Sequence, residues 1–139
     1  GGNCSGPSFV CSWFKLLLGD CGHTLCDFPE PKSKKNNIPD HIFKDGAKVY
    51  AGHTGSEFDS PSKTIKAGGH GVPGGENMIK FKDGSVRYLT TFESKLIQTF
   101  PPDFQITGAW GESMRQIGNA VPVTLAHTIG RQLFNLLRS

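Results

Sequence analysis

Apolar positions along this 139-residue chain fall into short, interrupted groups as far as Leu89 and take up a helical period after it. The first group, Phe9 to Leu18, fits a strand followed by a short helix, and its periodicity does not decide the matter. Lys48 to Ala51 reads as a short strand, and Gly52 to Ser62 as turn chemistry, with Gly, His, Thr, Ser, Asp and Pro in quick succession. Ser62 to Ala67 alternates polar and apolar residues as a strand does. Met78 to Phe81 reads as another strand, and Asp83-Gly84 as the turn to a return strand at Val86 to Leu89. Thr90-Thr91-Phe92-Glu93 is a capping-box sequence, a Thr with a Glu three residues on. The helix it predicts, Thr91 to about Thr99, carries Phe92, Leu96 and Phe100 on one face and is stopped by Pro101-Pro102. The stretch from there through Trp110 reads as loop. Pro122 stands where a helix can begin, because a missing amide costs nothing in the first turn. Val123, Ala126, Ile129, Leu133 and Leu137 then form a helical stripe to the C-terminus.

Composition narrows the class. Hydrophobic residues make up 36% and charged residues 19%, which suits a globular chain, and 18 Gly with 9 Pro promise many loops. No apolar run approaches bilayer length and no stretch reads as a signal peptide, so an intracellular, cytoplasmic protein is expected. Residues 1–59 carry six Lys or Arg against seven Asp or Glu, whereas residues 60–139 carry nine against five. A polyanionic partner should therefore meet the second half. All four cysteines (Cys4, Cys11, Cys21, Cys26) lie in the first 26 residues. With no secretory signal they read as reduced thiols. A zinc site using Cys21, His23 and Cys26 lacks the paired C-x2-C spacing, so no metal is expected. Pro29 to Pro39, with Lys32, Lys34, Lys35, Asn36 and Asn37, reads as a solvated linker.

Local catalytic motifs are missing. There is no phosphate loop of the G-x4-G-K-[ST] type, and Gly69-x-Gly71-x-x-Gly74 does not open a convincing helix. The run from Gly68 to Gly75 holds five glycines in eight residues. Backbone without side chains can approach a large flat partner, and its amides can face phosphates or base edges. Lys63 and Lys66 flank it, with Thr64 and His70 as further donors. Composition alone leaves that reading level with a hairpin tip that has no partner.

Four stretches then occur in order: Pro61-Ser62-Lys63-Thr64-Ile65-Lys66-Ala67; Arg87-Tyr88-Leu89-Thr90-x-x-Glu93; Leu96-x-Gln98-Thr99-Phe100-Pro101; and Gln116-Ile117-Gly118-Asn119-Ala120-Val121-Pro122-Val123. This series resembles the C-terminal part of the DNA (cytosine-5) methyltransferases. There R-x-L-T-x-x-E…Q-x-F-P is the ninth conserved motif and G-N-[AS]-V-P the tenth. The resemblance covers residues 61–139, and residues 1–60 are similar only to the variable front of the family's target-recognition region. The family's Pro-Cys nucleophile, its cofactor glycine loop and its Gln-x-Arg-x-Arg motif have no counterpart here. Glu76-Asn77-Met78 imitates the family's Glu-Asn-Val acid motif but stands in the wrong half of the order.

The resemblance implies an α+β fold: a small, loop-rich, mostly β target-recognition region over residues 1–86, then a segment over 87–139 whose two helices complete the catalytic domain of a larger α/β methyltransferase. It implies DNA contacts from Lys63, Thr64, Lys66, Ala67, Gly68, Gly69, His70 and Gly71, with an earlier recognition loop near His53 to Asp59. Arg87 and Glu93 would be scaffold residues, and many relatives carry Arg where Phe92 stands. Asn119, Ala120 and Val121 resemble the strip that closes over S-adenosyl-L-methionine, and the C-terminal helix would pack on the large domain. The implied chemistry is attack of a thiolate on C6 of a cytosine rotated out of the duplex, methyl transfer to C5, and elimination. No catalytic residue is expected in this chain. The implied partners are double-stranded DNA and a complementary methyltransferase chain or domain with the catalytic Cys, and no membrane. Trp110, Trp13 and His127 read as packing or surface residues, and Arg115 stays open between a phosphate contact and neighbours at its own helix end. The rival readings are a stand-alone sequence-specific DNA-binding module and a small zinc-binding interaction domain.

Overall fold

The computed structural model describes residues 29–57, 62–67 and 77–138. Three short strands form one sheet in the order β1-β2-β3: β1 is Ser56–Glu57, β2 Met78–Lys80 and β3 Val86–Tyr88. β1 runs parallel to β2, with Ser56 opposite Ile79. β2 and β3 form an antiparallel hairpin, with Ile79 opposite Arg87. The hairpin closes as Asp83-Gly84 predicts. Gly84 takes a φ of 82°, which a side chain would resist, and the Asp83 carboxylate accepts from the Ser85 amide at 2.9 Å and its hydroxyl at 2.6 Å.

Helix α1 spans Thr91–Ile97, α2 Trp110–Asn119 and α3 Val123–Arg138. The α+β class is as expected, with three helices among the described residues where two were expected. α2 occupies residues for which no element was predicted. Its sequence carries two glycines, Gly111 and Gly118, which disfavour a helix, but Trp110, Met114 and Ile117 at i, i+4 and i+7 form an apolar stripe, and Met114 and Ile117 are buried with Ser113. Two predicted strands are also absent from the sheet. Lys48 to Ala51 contributes only an isolated bridge, Tyr50 with His53, and Ser62 to Ala67 is extended but belongs to no strand. The alternation in Ser62 to Ala67 is nevertheless real: Ile65 is buried, while Thr64 and Lys66 are exposed. One side of the segment faces the core without any ladder being formed.

The core lies between sheet and helices. Ile65, Ile79, Leu89, Met114 and Ile117 make one buried cluster, flanked by Phe81, Ile97, Ile106 and Trp110. Trp110 packs on Tyr88 with ring centroids 5.1 Å apart and donates its indole N–H to the Leu89 carbonyl at 3.0 Å, a packing role as expected. α3 buries no residue at all. Its predicted stripe faces outward.

Candidate functional site

The segment 62–67 is held from three sides. Ile65 plugs the core. The Ser56 hydroxyl accepts the Lys63 amide at 2.9 Å, and the Asn77 side-chain amide donates to the Lys66 carbonyl at 3.3 Å. The third hold is steric. A Cβ on Gly118 would lie 2.3 Å from the Ala67 nitrogen and 2.6 Å from the Lys66 carbonyl carbon. Only glycine lets helix α2 touch that backbone. The holds leave Lys63, Thr64 and Lys66 exposed in a row. Lys63 Nζ also donates to Thr54 Oγ1 at 3.0 Å, which ties this segment to the earlier loop around His53. Gly68, Gly69, His70 and Gly71 lie outside the described residues, as do Phe58 and Asp59, the four cysteines, His23, Trp13 and Glu76.

Below this segment, α1 begins in a buried polar cluster. Thr90 accepts the Glu93 amide at 3.2 Å and the Glu93 carboxylate accepts the Thr90 amide at 2.9 Å, completing the capping box. Both Glu93 oxygens also take the Arg87 guanidinium, at 2.7 and 2.8 Å, while Arg87 Nε stands 3.3 Å from Glu30. Burial lowers the guanidinium pKa, and the hydrogen bonds and charge of Glu93, with help from Glu30, more than offset this and hold it above its ordinary value. Arg87 thus stays charged inside the fold. His41 completes the cluster: Nε2 donates to the Pro29 carbonyl at 2.7 Å, so Nδ1 accepts from the Thr90 hydroxyl at 2.8 Å. Phe92 is buried and packs its ring edge-on against His41.

The stretch read as a solvated linker is therefore docked. Lys34 and Lys35 are exposed and the Lys32 ammonium stands 3.8 Å over the Phe43 ring, while Asn36 donates to the carbonyls of Pro31 and His41, and the Asp40 carbonyl accepts the Phe92 amide. Lys95, 1% exposed, donates to the Asp40 carboxylate at 2.7 Å and to the carbonyls of Phe104 and Pro102 at 2.8 and 3.2 Å. All three of its protons are used. Hydropathy could not show this docking, because it consists of polar partners satisfied one by one.

The corner Gly118–Pro122 joins α2 to α3. Asn119 and Val121 are exposed, Val121 at 59%, and Ala120 is half-buried. The Ala120 amide donates back to the Ile117 carbonyl at 3.1 Å and ends α2. Gln98 and Thr99 hold the corner from beneath. Gln98 Nε2 donates to the Ile117 carbonyl at 3.2 Å, the Gln98 carbonyl accepts the Val123 amide at 3.2 Å, and Thr99 Oγ1 accepts the Thr124 amide at 2.9 Å. Both residues stand in the Gln98-Thr99-Phe100-Pro101 stretch, for which the family resemblance implies no role. The available signal was a Thr directly ahead of Phe-Pro at a helix end. Asn77, part of the stretch that imitates the acid motif, is nearly fully buried and has a structural part in holding Lys66. Arg115 pairs with Glu112 on its own helix and His127 is exposed on α3.

The model of the C-5 cytosine-specific DNA methylase family matches residues 22–135. The chain belongs to that family. Among curated relatives, the Type II methyltransferase M.PspPI of Psychrobacter sp. (strain TA137) is 38% identical over 82 residues, 59% of this chain and 19% of the relative. M.HgiDI of Herpetosiphon aurantiacus is 42% identical over 78 residues, 54% of this chain and 25% of the relative. M.Sau96I of Staphylococcus aureus is 31% identical over 109 residues, 73% of this chain and 24% of the relative. This methylase chain thus spans about a fifth to a quarter of the length of these relatives. No solved structure matches it. Among the described residues, no helix is long and apolar enough to cross a membrane.

Proposed function

We propose that this methylase chain is the C-terminal part or small subunit of a DNA (cytosine-5) methyltransferase acting on intracellular DNA, and that it supplies sequence choice and one wall of the cofactor pocket. Residues 1–86 then form the target-recognition region, and residues 87–139 pack on the catalytic domain. Lys63 and Lys66 neutralise phosphates, Thr64 offers a hydroxyl beside them, and the backbone from Ala67 through Gly68, Gly69, His70 and Gly71 approaches the base edges. Arg87 and Glu93 keep the platform rigid and stay away from the DNA.

The observation that carries this reading is the contact between Gly118 and the Lys66–Ala67 backbone. It joins a cationic, extended segment to the head of the Asn119–Val121 corner, so one rigid piece can serve DNA on one side and a cofactor on the other. The corner fits one wall of a site for S-adenosyl-L-methionine. It offers the Asn119 side-chain amide, exposed backbone and the Val121 methyl groups, next to the bare apolar face of α3. Bound there, that cofactor supplies the methyl group. The chain's own residues orient and enclose it, and the thiolate that attacks the base comes from the complementary chain.

Replacing Lys66 with Ala in the assembled enzyme is expected to weaken duplex binding and to flatten the dependence of log K on log salt by about 0.9. An unchanged slope removes Lys66 from the interface. Co-purification separates the enzyme part from a stand-alone DNA-binding module: the former retains a large partner carrying a Pro-Cys motif, the latter retains none.

A further inference from the structure

Thr99 is the only described residue other than glycine with a positive φ, at 59°. A β-branched residue is a poor occupant of that region. The position is set by the way α1 ends. The Phe100 amide donates to the Lys95 carbonyl and the Thr99 amide to the Leu96 carbonyl, both at 2.9 Å, so Thr99 stands where this kind of helix end usually takes glycine. Strain of this kind persists only where the surroundings demand the residue.

The demand is visible one helix away. α3 follows Pro122, so the first amides without a helical partner are those of Val123, Thr124 and Leu125. Two of the three are taken by α1's end: Val123 by the Gln98 carbonyl and Thr124 by the Thr99 hydroxyl. Gln98 Nε2 takes the Ile117 carbonyl on the other side of the corner. Two consecutive residues therefore bracket Gly118–Pro122 at both ends. Glycine at 99 would relieve the backbone and lose the hydroxyl that holds α3.

We propose that Gln98 and Thr99 are positioning residues for the cofactor side of the site, with Thr99 kept in a strained conformation because its hydroxyl fixes the start of α3 and hence the height of the Asn119–Val121 wall. This rests on reading Asn119–Val121 as that wall. Neither residue touches the cofactor.

The test uses the assembled enzyme, this chain with the polypeptide bearing the Pro-Cys motif, and three variants: Thr99→Ser, Thr99→Val and Thr99→Gly. Thr99→Ser keeps the hydroxyl and is expected to leave the affinity for S-adenosyl-L-methionine, measured by calorimetry, within twofold of the parent. Thr99→Val and Thr99→Gly are expected to weaken it about tenfold with kcat within threefold. Amide exchange at Thr124 should quicken in both. Thr99→Gly separates positioning from plain stability, because strain relief opposes the lost hydrogen bond and the melting temperature stays close to that of the parent. Parental cofactor affinity in Thr99→Val and Thr99→Gly overturns the proposal. Ala120→Leu tests the wall reading by itself: if it leaves cofactor affinity unchanged, the wall reading fails, whereas weakened affinity in Ala120→Leu with none in Thr99→Gly overturns only the role of Thr99.

Discussion

Gly118 shows how far one missing methyl group reaches. It sits inside helix α2, where Ala is intrinsically favoured over Gly by about 1 kcal/mol. Its Cβ would instead run into the backbone of Lys66 and Ala67. That obstacle is main chain and cannot rotate away, and overpacking of this kind costs about 1–3 kcal/mol. Gly118→Ala is therefore expected to destabilise the chain in urea despite the helix preference, and a midpoint at or above the parent's contradicts the contact. Glu93 gives a second residue-scale test. Glu93→Ala leaves the buried Arg87 charge with only the exposed Glu30 beside it and removes half of the capping box, so a loss of about 3 kcal/mol is expected from urea denaturation. Arg115→Ala, which cuts an exposed pair, should hardly move the midpoint. Thr90 with Glu93 was readable in the sequence because a capping box is a local pattern. The partners Arg87 takes from Glu30 and Thr90 takes from His41 were not, because they come from a loop 49 or more residues away from α1's start.

At the scale of elements, the local signals held where the chemistry was local. Asp83-Gly84 makes the predicted hairpin, and α1 begins where its cap says. α1 ends earlier than its prolines suggest, because the Thr99 turn stops it before Pro101 is reached. α2 was legible in part, since Trp110, Met114 and Ile117 fall at helical spacing, but its two glycines masked it, and its place depends on Met114 and Ile117 meeting Ile65 from far along the chain. The extended segment Ser62 to Ala67 had the right alternation and the wrong setting, since its backbone is satisfied by Ser56 and Asn77 side chains rather than by a neighbouring strand. The hairpin gives a pH test. The Ser85 hydroxyl, then the Ser85 amide, hold the Asp83 carboxyl below its ordinary pKa. A lowered carboxyl pKa contributes stability above the unfolded value and loses it as pH falls through the folded one. Asp83→Ala should thus be slightly less stable than the parent at pH 6, with the gap narrowing as pH falls below the ordinary carboxylate range. A gap that does not narrow with acidification contradicts the assignment.

Over the whole molecule, the distribution of apolar surface is the main fact. The core between sheet, α1 and α2 is closed, while α3 carries Leu125, Ile129, Leu133 and Leu137 at four-residue spacing, all exposed, Leu137 at 86%. An uncovered face of that kind marks an interaction site. The chain spans about a fifth to a quarter of the length of these relatives, and on the proposed reading this face meets the complementary part of the enzyme. The isolated chain is expected to self-associate in sedimentation, and Ile129→Lys with Leu133→Glu to return it to a monomer. The stripe was legible as a helical period, but whether it faced a core could not be read from period alone. The central claim is that specificity resides here and the reactive sulfur elsewhere. Methyl transfer from labelled S-adenosyl-L-methionine to duplex DNA tests it most directly. Transfer is expected when this chain is mixed with the polypeptide carrying the Pro-Cys motif and absent when it is assayed alone, and robust transfer by this chain alone would contradict the account.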